Sequence, residues 1–475
     1  MKICVINSST NDDGQAPNFD FYIPSVRHQF FTKYVTDLKA SVQDQVGKIC
    51  EEGFDAFMNN LSNTGANEDE VTEYLESKGL LCITNNWAIQ KKTELHLQEA
   101  AGQCELKVLQ ESLNHNKCDR FAVILIEMGH EVVPLAPVRY ATTDTDLQNG
   151  GICARRNQSG IVVDSSIHEF VEDEARKSEL QSSAIKLFKA LKMTGVGWLR
   201  VDFTVQRDSN QAAISGVSSP DILAPTSDHA TIDDFVIQQK FPGGHEVLID
   251  TLIAAKEIQC GVHVEMAKGV SAFYDKMAPS YNSSLHISGL YQLQRSMAAK
   301  FDFSGQVLDV GCGRGSFGEI LNAQGVSPQL TGIEISKGMI DSPSIESYYQ
   351  DPIRIGLMQE LVMNAGEFDH IVCFSAFQFL NRQQFSAVLA RMFMLARKSI
   401  TFEVDDLDDE YLSILGKLNG GRVFDFNNAP SAKEFGIPRG WRRVHWERLH
   451  LYTSPTTKTD VFAYAVRFER ADSHC

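Results

Sequence analysis

Apolar residues recur along this chain in two rhythms. Short blocks such as KICVIN, FAVILIE, QVLDV, HIVCFS and SITFEV are bounded by turn residues, which predicts buried strands. Between them lie stretches with apolar positions three and four apart, as in SSAIKLFKALKM and LIDTLIAAKE, which predict amphipathic helices. FAVILIEMGHEVVPLAPVRY holds two strand-like runs joined at Gly129-His130, a hairpin signal. Strand and helix patterns alternate to the end of the chain, so the predicted class is α/β.

The pattern breaks near residues 258–270. LIDTLIAAKE reads as a helix, QCGVHVEMAKG as a connector, and SAFYDKMAPSYN as the start of a second region. The expected domains are therefore 1–262 and 270–475. In the second, MAAKF closes a helix, QVLDV is a first strand, QLTGIEIS a second, FDHIVCFSA and SITFEV later strands. RRVHWERLHLYT and DVFAYAVRFER read as a terminal antiparallel pair. This is the order of a doubly wound sheet.

VLDVGCGRGSFGEIL gives that sheet its chemistry. A buried strand stops at Gly311, and Gly313, Gly315 and Gly318 follow before a helix begins. Backbone without side chains lets a ligand come close. A triphosphate site needs Gly-Lys-Ser/Thr, but Arg314-Gly315-Ser316 has no lysine. A dinucleotide and S-adenosylmethionine remain. Glu334, at the end of the next strand, suits the ribose of either. Asp309, two residues before the first glycine, repels a pyrophosphate and suits an ammonium group, which favours S-adenosylmethionine.

Composition narrows the partners. The 475 residues carry a formal net charge of −17, which argues against nucleic acid or an anionic membrane. Ten cysteines stand singly, without C-x-x-C pairs or zinc spacing, so no metal site is expected and reduced thiols fit a cytoplasmic location. The start, MKICVINSS, lacks the long apolar region of a signal peptide. No run of about 18 apolar residues predicts a membrane span.

On these residues the segment 271–468 resembles the class I S-adenosylmethionine-dependent methyltransferases. The D-V-G-C-G-R-G run is similar to their motif I. FYDKMAPSYN looks like the segment before it, and FDHIVCFSAFQFL like their fourth-strand motif. The resemblance implies a Rossmann-like seven-stranded fold. It implies that Tyr274, Tyr281, Asp309, Gly311, Gly313, Glu334, Ile335, Met358, Gln359 and Ser375 surround the cofactor. No Asn/Asp-Pro-Pro-Tyr turn follows strand four, as nucleic-acid and amide methylases would carry. S-A-F-Q-F-L is similar to the corresponding stretch of trans-aconitate and malonyl-carrier-protein methyltransferases, which implies a small-molecule carboxylate as acceptor. A phenol or hydroxyl is the alternative. A carboxylate is ionised at neutral pH and is itself the nucleophile, so the protein must align it and offer cations or donors. His286, Arg439 and Trp441 are the candidates for positioning it, with Tyr291, Arg442, Arg443 and His445 nearby in sequence. The acidic run EVDDLDDEYL reads as a solvated loop and helix start.

The first region resembles the ATP-grasp enzymes of the D-alanine–D-alanine ligase type, in degenerate form. RVDFTVQRDSNQAAISGVSS keeps Arg200 and Asp202, but the positions of that family's metal-binding Glu and Asn are Ser215 and Ser219. Hydroxyls cannot replace a carboxylate at a site for two dications. Only QCELKVLQESLNHNKCDR stands where a lid subdomain would be. The expectation is a non-catalytic structural module, one that forms a homodimer or covers the methyltransferase site. Such a fusion resembles fungal secondary-metabolite enzymes.

Overall fold

The computed structural model describes residues 1–8, 27–35, 42–61, 68–109, 118–140, 154–157, 160–163, 168–219, 229–230, 232–282, 289–350, 352–418, 425–454 and 457–471. They form two compact units, Met1–Cys260 and Gly261–Cys475.

In the first unit, Lys2–Ser8 pairs in parallel with Gln29–Val35 and with Ala56–Asn59, and Cys82–Asn85 completes a four-stranded parallel sheet. Ile3, Cys4, Val5 and Ile6 are all buried, as in a strand covered on both faces. A second, mostly antiparallel sheet is centred on Cys118–Met128 and Trp198–Gln206. The turn at Gly129-His130 folds Glu131–Pro134 back onto Cys118–Met128. Helix Glu174–Ala190 is capped by Asp173 and buries Leu180, Ala184, Leu187 and Phe188 in one core with that sheet.

The second unit is built on seven strands: β1 (Gln306–Val310), β2 (Gln329–Glu334), β3 (Arg354–Ile355), β4 (Phe368–Cys373), β5 (Ala396–Asp406), β6 (Trp441–Thr453) and β7 (Asp460–Arg470). Their order is β3-β2-β1-β4-β5-β7-β6, and β7 alone is antiparallel to the rest. The chain reverses its direction of winding between β1 and β4. In an open parallel sheet the crevice at that switch point, above the C-terminal strand ends, is where ligands bind. The doubly wound fold expected from the strand pattern is the one observed.

Two readings of the pattern change. Helix α1 (Val264–Met277) runs through the segment read as a connector, so only 260–263 separate it from helix Gly244–Gln259. Gly269 lies within α1, but a single glycine in a helix costs only about 1 kcal/mol, and Met266, Val270 and Tyr274 keep a four-residue spacing through it. The acidic run EVDDLDDEYL is not simply solvated. β5 continues to Asp406, Glu403 and Asp405 are 1% and 5% exposed, and the helix starts only at Asp409.

Candidate functional site

The C-terminal ends of β1, β2 and β4 open onto a cavity of about 710 Å³, its mouth included. Its floor is the glycine turn. Gly311 and Gly313 have φ of 75° and 54°, backbone that side chains rarely adopt. A Cβ on Gly311 would lie 2.7 Å from Ala376 Cβ on the opposite lip. The turn is tied to β2, because the N–H groups of Gly311 and Cys312 both donate to Ile333 O, at 2.8 and 3.0 Å.

Glu334 holds the turn as well as lining the cavity. Its Oε2 accepts the Gly313 N–H at 2.8 Å, and its Oε1 accepts those of Ile335 and Ser336 at 2.9 and 3.0 Å. Burial raises its pKa, and the three donors oppose that shift. A carboxylate has about four acceptor positions, so three bonds leave capacity for a ligand hydroxyl.

The remaining walls are mostly apolar. Tyr274, on α1, meets Tyr281 with ring centroids 6.2 Å apart and Phe379 at 5.8 Å, both edge to face. Ile335, Met358, Gln359 and Ser375 also line the cavity, and Gln359 is 3% exposed. Sequence reasoning missed Met266 and Val270, which stand two turns and one turn before Tyr274 on α1 and line the same cavity. Their helical spacing was the available signal.

Three sequence-predicted residues lie elsewhere. Asp309 is not in the cavity wall. It is buried beneath the turn and accepts the Tyr349 hydroxyl, and burial pushes its pKa up to about 7. A carboxyl so placed secures the core under the loop, which weakens its assigned role toward an ammonium. Arg439 is exposed, and Trp441 begins β6 opposite Arg470, the last residue of β7. That places Trp441 at the N-terminal edge of the parallel strands, where it packs edge-on to Phe393 at 5.0 Å under the Arg470 guanidinium. Arg442 and Arg443 share that end; Arg442 pairs with Glu469 at 3.5 Å, and the Arg443 guanidinium lies 4.8 Å from the Trp446 ring. His445, farther along β6, contacts Lys300. Tyr452, near the C-terminal end of β6, pairs with Val461 at the end of the sheet where the cavity opens. His286 lies outside the described residues. Tyr291 packs against the core from α2 (Gly289–Lys300).

What gathers around β5 is acidic. Glu403, Asp405 and Asp425 all have raised pKa values, burial being the main cause. The Tyr411 hydroxyl donates to Asp425 at 3.4 Å. Burial also pushes the Tyr274 phenol well up, and the charges of Asp425 and Glu334 add to that.

In the first unit, each carboxylate oxygen of Asp202 bonds a neighbouring side chain. Tyr140 Oη donates to its Oδ1 and Arg200 Nε to its Oδ2, both at 3.1 Å, while the Arg200 guanidinium also bridges to Asp233 at 3.1 Å. Ser215 is exposed, and Ser219 donates to Asn86. Among the described residues no cluster of His, Cys, Asp and Glu could hold a metal ion, and no helix is long and apolar enough to cross a membrane.

Residues 307–399 match the methyltransferase domain family. No curated protein matches the sequence. Among solved structures, the magnesium protoporphyrin IX methyltransferase of Synechocystis PCC 6803 is 18% identical over 38% of this chain and 84% of its own, with a TM-score of 0.29. The N-methyltransferase NodS of Bradyrhizobium japonicum WM9 is 17% identical over 38% and 85%, with a TM-score of 0.27. A pyruvate carboxylase of Rhizobium etli is 13% identical over 47% and 20%, with a TM-score of 0.30. At scores this low the likenesses carry no weight for function.

The domain match and the strand order make the second unit a class I methyltransferase fold. Its glycine cradle, the Glu334 carboxylate and the mostly apolar walls suit S-adenosylmethionine, and this unit is an S-adenosylmethionine-dependent methyltransferase domain.

Proposed function

We propose that this methyltransferase acts on an oxygen of a small molecule. The observation that carries the cofactor half of this reading is the bond from Gly313 N–H to Glu334 in the cavity floor. It fixes backbone and carboxylate together where an adenosine ribose would bind. When bound, S-adenosylmethionine supplies a methyl group on a sulfonium leaving group. The chain's own part is to align the acceptor and exclude water, which the apolar walls of α1 and the Phe374–Leu380 segment favour.

For the acceptor, S-A-F-Q-F-L supports a free carboxylate. A second reading, a phenol or alcohol, is favoured by a specific observation. The titratable groups whose charges reach Tyr274 from the β5 side are Asp425 and Tyr452, and Tyr411 bonds Asp425. A carboxylate acceptor would want an arginine there. We rank the hydroxyl acceptor first on geometry. Mass spectrometry of a panel of carboxylic acids, phenols and alcohols incubated with cofactor tests it: methyl esters alone would restore the carboxylate.

We read the first unit as a degenerate ATP-grasp module with a structural role, forming a homodimer. Support comes from Asp202, which bonds Tyr140 and is tied through Arg200 into an ion-pair network with Asp233. Sedimentation of the full chain showing only monomer would overturn the dimer.

A further inference from the structure

Ser375 is the polar residue of the cavity lip, and its backbone is strained. Its φ is +56° without being glycine, a conformation that persists only where neighbours hold it. Two groups do so. Glu403 Oε2 accepts its N–H at 2.7 Å, and Gln378 Nε2 donates to its carbonyl at 3.1 Å. The adjoining Ala376 is the atom wall that faces Gly311, so the setting of Ser375 fixes the width of the cavity at the glycine turn.

Glu403 does not act by itself. It and Asp405 stand two apart on one face of β5, both buried. Across the ladder they face Ala465 and Ala463 of β7, so that strand brings no cation to them. Neither Glu403 Oε1 nor Asp405 Oδ1 has an N–H or O–H donor. Two buried carboxyls side by side, with no cation beside them among the described residues, do not both ionise, and one proton stays on the pair. Among the described residues, the other titratable groups that sense the pair are Asp425, Tyr411, Tyr452, Tyr281 and Cys373. All are acids, and none can supply a positive charge. Burial and mutual repulsion raise Glu403 well above the carboxylate range, and burial raises Asp405 to about 7.

We propose that Glu403, sharing a proton with Asp405, is a positioning residue for the cofactor: it clamps the Ser375 N–H and so sets the Ser375–Ala376 lip against which S-adenosylmethionine lies. This rests on the cofactor reading above. Two consequences follow. Removing the clamp weakens cofactor binding, and removing the shared proton does the same, because repulsion then drives the two carboxylates apart.

The test is calorimetric titration of the full chain with S-adenosylmethionine from pH 6 to pH 9, on variants whose fold is checked by circular dichroism. Glu403→Ala should weaken binding about tenfold, the scale of a lost charge-assisted hydrogen bond. Glu403→Gln, which still accepts the N–H and donates to Asp405, should stay within about threefold. Adding Ser375→Gly to Glu403→Ala should recover part of the loss, because glycine takes positive φ without a clamp; a merely structural role for Glu403 would show no such rescue. Affinity of the unsubstituted chain should fall as pH rises, and Asp405→Asn, a permanent donor, should flatten that fall. The proposal is overturned if Glu403→Ala binds normally, if Ser375→Gly brings no rescue, or if Asp405→Asn leaves the pH dependence unchanged. Should Glu403→Ala not fold, the Asp405→Asn profile decides. If the unsubstituted chain binds no S-adenosylmethionine, the cofactor reading itself falls; binding with indifferent variants removes the clamp alone.

Discussion

Each unit of this chain carries a motif that the sequence ties to a nucleotide-type ligand, and the two motifs end differently. In the first, Asp202 sits on a β-hairpin with both carboxylate oxygens taken by Arg200 and Tyr140, and Arg200 is itself shared with Asp233. In the second, Glu334 also binds the chain's own groups, but these are backbone N–H groups at the edge of an open cavity. The first carboxylate is enclosed by an ion-pair network. The second is held in place and stays in contact with space that a ligand can enter. A surviving motif residue therefore says little until its surroundings are known.

The sharpest way to break this contrast is to fill the cradle. Gly311→Val places a branched side chain at φ 75° and within 2.7 Å of Ala376, and should weaken S-adenosylmethionine binding by more than about hundredfold. Calorimetry reads this directly, while the thermal unfolding of the first unit should not move. Next in size, Glu334→Ala releases three N–H groups and should cost about hundredfold in affinity. The matching change in the first unit is Asp202→Ala. It should leave cofactor affinity unchanged and destabilise that unit by about 2 kcal/mol, measured by urea unfolding, because Arg200 and Tyr140 lose an acceptor. A loss of cofactor binding there would erase the contrast.

Asp309 gives a pH-dependent test. Its pKa rises from an ordinary 3.8 to about 7 on burial, so the unfolded chain ionises it first. Its contribution to stability should therefore fall between about pH 4 and pH 7, and Asp309→Asn should flatten that part of the unfolding profile. The smallest effect is expected at Arg439, exposed and well away from the cavity. Arg439→Ala should change acceptor KM less than about twofold.

The sequence made some of this legible and not the rest, for reasons that differ by residue. The strand–glycine–helix signal at Val307–Leu321 is local, so the loop could be read directly, and Glu334 lies at the end of the next strand. The partner of Asp309 is Tyr349, forty residues on, and no local pattern announces it. Trp441 and the arginines after it look like pocket residues by composition. Their place is set by the register of β6 against β7, which periodicity does not give. Glu403 and Asp405 read as solvated because acids usually are. Only the continuation of β5 buries them, and with them the clamp on Ser375.

The central claim is that the cofactor is held by the cradle of the second unit while the first unit holds no nucleotide. One calorimetric comparison tests it most directly: the full chain titrated with S-adenosylmethionine, and separately with ATP and magnesium. The account predicts one S-adenosylmethionine site per chain, lost in Glu334→Ala, and no heat from ATP. ATP binding that disappears in Asp202→Ala, or S-adenosylmethionine binding indifferent to Glu334→Ala, would contradict it.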